Sequence, residues 1–147
     1  MNRICLLALM ITSSAYGQTA PAPAPAPTVQ PTPSYLNHYN FNRFVPSGEQ
    51  RMINFYASIW PDCSSRGPVV GRITTPPQHG VLEFAPLDSF LFISATSSLA
   101  KCNDKKVPGL GVNYTSEPNY TGEDGADIFI IFPDGSAAES HYTIVVR

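Results

Sequence analysis

Short apolar runs of period two, separated by proline and glycine, set the strongest limit on what this chain can fold into. Residues 51–60 place Ile53, Phe55, Ala57 and Ile59 on one face and Asn54, Tyr56 and Ser58 on the other. Residues 69–74, 80–84, 90–95 and 111–114 are shorter runs of the same kind. Near the end of the chain, Tyr142, Ile144 and Val146 alternate with His141, Thr143 and Val145. From Ile128 to Phe132 every residue is apolar, the pattern of a strand covered on both faces. Breakers lie between the runs: Pro46-Ser47-Gly48, Arg66-Gly67-Pro68, Pro76-Pro77, Pro108-Gly109 and Pro133-Asp134-Gly135. No segment longer than a turn carries a helical stripe. About seven short strands at this spacing predict an all-β chain, folded as a β-sandwich.

Ahead of these runs the composition changes twice. Met1-Asn2-Arg3 is positively charged, the next eight residues (ICLLALMI) are apolar, and Ala15 and Gly17 are small. This order predicts a secretory signal peptide over residues 1–17, cleaved before Gln18. The apolar run is far short of the ~20 residues that span a bilayer, and no other segment is long enough, so no membrane span is expected in the mature chain. Residues 18–35 are dominated by alternating alanine and proline. Proline has no amide donor and forces its neighbour to extend, so this stretch reads as a polyproline-like linker of about 3.1 Å per residue. Residues 36–147 form the one folded domain, expected in the periplasm or outside the cell.

Export changes the meaning of the cysteines and charges. Of three cysteines, Cys5 leaves with the signal peptide. Cys63 and Cys102 remain, and two cysteines in an oxidising compartment predict one disulfide. Removing Arg3 turns 9 basic and 11 acidic residues into 8 and 11, a net charge of −3. The basic residues are scattered, which excludes the concentrated basic face that nucleic acid needs.

An ordered set of motifs runs through residues 73–146. It begins with Pro77-Gln78-His79-Gly80, followed by Tyr114 with Pro118 and then Asn119-Tyr120-Thr121-Gly122-Glu123-Asp124. Asp127-Ile128-Phe129, Asp134-Gly135 and the closing Tyr142-Thr143-Ile144-Val145-Val146 complete it. This set resembles the bacterial immunoglobulin-like, cadherin-like repeats of surface proteins and adhesins. The resemblance implies an immunoglobulin-like β-sandwich that acts as a non-enzymatic binding or structural module, in contact with an envelope or extracellular protein or glycan. Each motif also has a physical reading. Gly80 is expected to supply a positive backbone angle at a turn. Tyr114 and Tyr120 are expected to bury their rings and send hydroxyls to backbone groups. Asp134-Gly135 is expected to close a hairpin. The chain departs from the family at Gly125-Ala126, which lengthens the spacing between Asp124 and Phe129, and in its cysteine pair. It also carries a single copy of the domain.

Four carboxylates, Glu123, Asp124, Asp127 and Asp134, are the candidates for a cation, and calcium is the ion that oxygen ligands favour. Their spacing matches neither an EF-hand loop nor the glycine-rich nonapeptide repeat, and solvated turn acids are the plainer reading. A calcium-stabilised adhesion-type module is therefore the alternative function. His38, His79 and His141 are far apart in sequence, unlike closely spaced zinc ligands. No Gly-x-Ser-x-Gly elbow is present, which leaves a small secreted enzyme as a further alternative without a named catalytic residue. Tyr39 and Trp60 are the aromatic candidates for a binding surface, with Tyr35, Phe41 and Phe44 nearby, although large apolar side chains usually bury.

Overall fold

The computed structural model describes residues 36–147, so the expected signal peptide (1–17) and linker (18–35) lie outside the described residues. The alternating runs become seven strands: β1 (Leu36–Val45), β2 (Gln50–Tyr56), β3 (Val70–Thr75), β4 (Gly80–Phe90), β5 (Lys106–Ser116), β6 (Gly122–Ile131) and β7 (Ala137–Val146). They form a four-stranded sheet in the order β1-β7-β6-β3 and a three-stranded sheet in the order β2-β5-β4. All pairs are antiparallel except β1 with β7. The main core takes Ile53, Leu82, Val112 and Tyr114 from the smaller sheet and Ile128, Ile130, Tyr142 and Ile144 from the larger. Among the described residues no helix is long and apolar enough to cross a membrane.

Four departures from the sequence pattern have local causes. The aromatic segment before residue 51 is itself a strand, β1, because Phe41 packs on Tyr142 and Val45 is buried. In β2 the register shifts between Met52 and Asn54. Ile53 therefore enters the main core, whereas Phe55 packs into a second cluster with Ala57 and Ile59. Residues 91–95 are not a strand, and β4 instead runs on to Phe90. Beyond it Leu91 and Ile93 pack into the second cluster, and the Asn103 side chain bonds both backbone groups of Ile93, at 2.9 and 2.8 Å. Finally, β6 is not covered on both faces. Ile128 and Ile130 are fully buried, but Phe129 and Ile131 are only half-buried, because a two-layer fold covers each strand once.

The second cluster, centred on Ile59, Cys102 and Val107, lies on the side of β5 away from the main core. The Cys63–Cys102 disulfide is formed and joins the two segments that build this cluster. Prolines sit where their missing amide does least harm. Pro86 is in an edge strand, and Pro108 lies past the last β2–β5 pair, Tyr56 with Leu110.

The Asp134-Gly135 hairpin forms as expected, with Gly135 at φ 82° and the Phe132 amide donating to the Ser136 carbonyl at 2.9 Å. Gly80 is required for a different reason than expected. It is not among the residues of positive φ. A Cβ there would lie 2.5 Å from the Thr115 carbonyl oxygen and 2.6 Å from the Tyr114 ring. Gly80→Ala should therefore lower stability by about 1–3 kcal/mol, the usual cost of overpacking, measured by denaturant unfolding. A variant as stable as the parent would contradict the close approach.

Candidate functional site

Strand register decides which polar side chains meet. On the outer face of the four-stranded sheet, Asn40 (β1) stands opposite His141 (β7), His141 opposite Asp127 (β6), and Asp127 opposite Thr75 (β3). This row crosses all four strands. His141 Nδ1 and the Asp127 carboxylate are 2.6 Å apart. In the next row His38 Nδ1 lies 3.0 Å from the Glu139 carboxylate. Shallow depressions of about 290 and 380 Å³ lie on this face, and both are lined by Thr75, Asp127 and His141. The bond from His141 holds the Asp127 carboxyl below its ordinary value, helped by Thr75 and opposed by partial burial. Asp127 is thus ionised at neutral pH, and His141 Nδ1 carries the proton between them. Nε2 takes no part in that bond.

This arrangement offers several hydrogen-bonding groups at strand spacing, about 5 Å apart. A His–Asp pair also orients the base in hydrolases. Here two neighbouring hydroxyls already have partners. Ser140 is buried and lies 2.8 Å from the Tyr56 hydroxyl. The Thr75 side chain lies beside Asp127 and helps hold its carboxyl down. The row is equipped to hold a polar ligand.

At one end of the sandwich Asp124 faces inward, 6% exposed. One carboxylate oxygen accepts from the amides of Gln78 and Gly125, at 2.9 and 2.8 Å. The other accepts from the His79 amide and the Tyr114 hydroxyl, at 2.9 and 2.8 Å. Burial pushes this carboxyl up. The bonds from Gln78, Tyr114, His79 and Gly125 outweigh it, and the group titrates below its ordinary value. Burial, then the bond to Asp124, pushes the Tyr114 hydroxyl well up. Tyr120 donates to the Glu123 carbonyl at 2.8 Å, and its ring stacks on His79 at 4.0 Å.

The cation candidates do not converge. Glu123 is exposed, Asp124 is occupied by four donors, and Asp127 belongs to the polar row. Asp134 sits in the β6–β7 hairpin, where it accepts from the Ser136 amide at 3.0 Å and pairs with Arg66 at 3.3 Å. Among the described residues no group of three or more His, Cys, Asp or Glu is placed to hold a metal ion.

Of the aromatic candidates, Trp60 is half-exposed with the Arg66 guanidinium 4.6 Å from its ring centre. It lies in the β2–β3 connection, outside both depressions. Tyr39, 46% exposed, lines the first depression and stacks on Phe41 at 6.0 Å. Sequence reasoning misses Asn40 and Thr75, and it leaves His38 and His141 unrelated to their neighbours. Only the strand register unites them. No family model, curated protein or solved structure matches this chain.

Proposed function

We propose that the chain is an exported, non-enzymatic binding module with an immunoglobulin-like sandwich, and that it contacts a hydroxyl-rich glycan through the outer face of its four-stranded sheet. The Asn40–His141–Asp127–Thr75 row carries the reading, because it sets donors and acceptors side by side on a rigid surface. Amide, imidazole, carboxylate and hydroxyl are the groups that meet sugar hydroxyls well.

The strand order supports the finer fold. Lettered in chain order, the smaller sheet reads B-E-D and the larger C-F-G, with strand A beside G. The B-E-D and C-F-G groupings are those of immunoglobulin-type sandwiches. The disulfide suits an oxidising compartment such as the periplasm or the exterior. The calcium-stabilised alternative has less to rest on, since Asp124 is occupied and Asp134 lies in the hairpin that follows β6.

Binding to a panel of cell-envelope glycans tests the reading. The parent chain should bind at least one. His141→Ala and Asp127→Asn should each weaken that binding by about 10- to 100-fold, the worth of a charge-assisted hydrogen bond. Their thermal midpoints should stay close to the parent's, because both side chains are largely exposed. Capture of a protein with no glycan, or glycan binding indifferent to both substitutions, would move the contact elsewhere.

A further inference from the structure

Sheet edges invite pairing with other chains, and natural proteins usually blunt them. Among the described residues, three of the four edges carry a register shift or a proline. β2 has seven residues with a register shift, and the Arg43 guanidinium donates to its Ile53 carbonyl. β3 has six residues, a register shift, and Pro76-Pro77 directly after it. β4 contains Pro86. β1 is guarded least: its ten residues include no proline, glycine or lysine, it pairs with β7 without a register shift, and its one guarding charge is Arg43, which donates to the Asn42 carbonyl.

Among the described residues, the free side of β1 is also well defined. The Arg147 amide donates to the Val45 carbonyl, which places the backbone groups of Val45 on the β7 side. In a parallel ladder alternate residues point alternate ways. Residues 37, 39, 41, 43 and 45 are therefore spent on β7. The backbone groups of residues 36, 38, 40, 42 and 44 point to the open side. There the Asn42 carbonyl already accepts from the Arg43 guanidinium at 2.9 Å, and its second lone pair is left for a partner.

We infer that this edge pairs with β1 of a second copy of the chain, antiparallel about a two-fold axis at Asn40. Side chains of paired residues must share a face, so paired numbers must sum to an even number. A sum of 80 engages residues 36–44 completely. It joins residues whose free backbone groups face each other: Leu36 with Phe44, His38 with Asn42, and Asn40 with its own copy. Between them, Tyr39 meets Phe41 and Asn37 meets Arg43, so no charged residue faces a like charge. Phe44 is 66% exposed and Tyr39 46% exposed in the single chain, and both gain an apolar partner. A sum of 78 sets Phe44 against Ser34, which gives it no apolar partner. A sum of 82 sets Arg43 against Tyr39 and Leu36 against Pro46. Pairing at 80 makes one eight-stranded sheet. The two polar rows then become a single continuous row across the axis, Thr75–Asp127–His141–Asn40 and its copy. The edge pairs in this way whether or not the face binds a glycan.

Sedimentation of the exported chain, with its N-terminal segment retained, decides the matter. A single interface of this size is weak, so the parent should shift from monomer to dimer as concentration rises from roughly 10 μM to roughly 1 mM. Asn40→Lys sets two ammonium groups against each other at the axis and should remain monomeric over that range. Asn40→Pro removes an amide that β7 does not use and should do the same. Should Asn40→Pro fail to fold, Asn40→Lys decides alone, since that side chain is exposed. A parent that stays monomeric at roughly 1 mM, or an Asn40→Lys variant that still dimerises, overturns the inference.

Discussion

Asp124→Ala is expected to lower the free energy of unfolding by about 3–5 kcal/mol, the range for removing one partner from a buried charged network. The carboxylate is almost fully buried and accepts from three backbone amides and one tyrosine hydroxyl. It ties the start of β6 to the turn before β4 and to the middle of the smaller sheet. Alanine would leave the turn amides of Gln78 and His79 without their acceptor. The Tyr114 hydroxyl would keep only the His79 carbonyl, at 3.2 Å. Asparagine would preserve the shape but turn an amino group toward donors, so it should also destabilise, by a smaller amount.

The same network fixes an acid dependence. Burial alone would raise this carboxyl, yet the four donors hold it below its ordinary value. The folded form thus keeps its proton off at a pH where the unfolded form, near 3.9, takes one up. The stabilisation is fully present above about pH 4 and is lost as pH falls through the lower, folded value. Urea unfolding of the parent at pH 7 and pH 3 should show this loss, and Asp124→Asn should show less of it. An alanine variant within 1 kcal/mol of the parent at pH 7 would refute the role.

Features made of neighbours in the chain are legible in the sequence alone. Asp134-Gly135 announces a hairpin because the turn needs only those residues and their flanks. Tyr120 and Glu123 are three residues apart, so that bond follows from one corner. The disulfide is legible because only two cysteines lie beyond the expected signal peptide. Asp124 is not legible in this way. In the sequence it reads as a solvated turn acid, with a cation ligand as the alternative, while two of its amide donors lie 45 and 46 residues away. The polar row is hidden for a related reason. Asn40, Thr75, Asp127 and His141 come from four strands, and a one-residue slip in any pairing would turn its member to the other face. β1 is obscured because tyrosine and phenylalanine alternate there with asparagine, histidine and arginine. That pattern becomes a strand only once β7 and the Tyr142 ring stand beside it.

Breaking the Cys63–Cys102 bond should cost about 4 kcal/mol if the entropy of the closed loop, a separation of 39 residues, governs its contribution. For a domain of this size such a loss lowers the thermal midpoint by roughly 15 °C or more. The Cys63→Ala, Cys102→Ala pair is the cleaner test, because Cys102 is fully buried and serine would add an unpaired hydroxyl. The bond also joins the two long connections that cover the outer side of the smaller sheet. Phe55, Ile59, Leu91, Ile93, Leu99 and Val107 pack around this link, apart from the main core. Hydrogen exchange should therefore quicken first between residues 91 and 105 when the bond is absent, while Ile128, Ile130 and Ile144 stay protected in the main core. Loss of protection in both regions together would mean that the clusters form one cooperative unit. A midpoint within a few degrees of the parent would mean that packing alone, without the covalent link, keeps the second cluster in place.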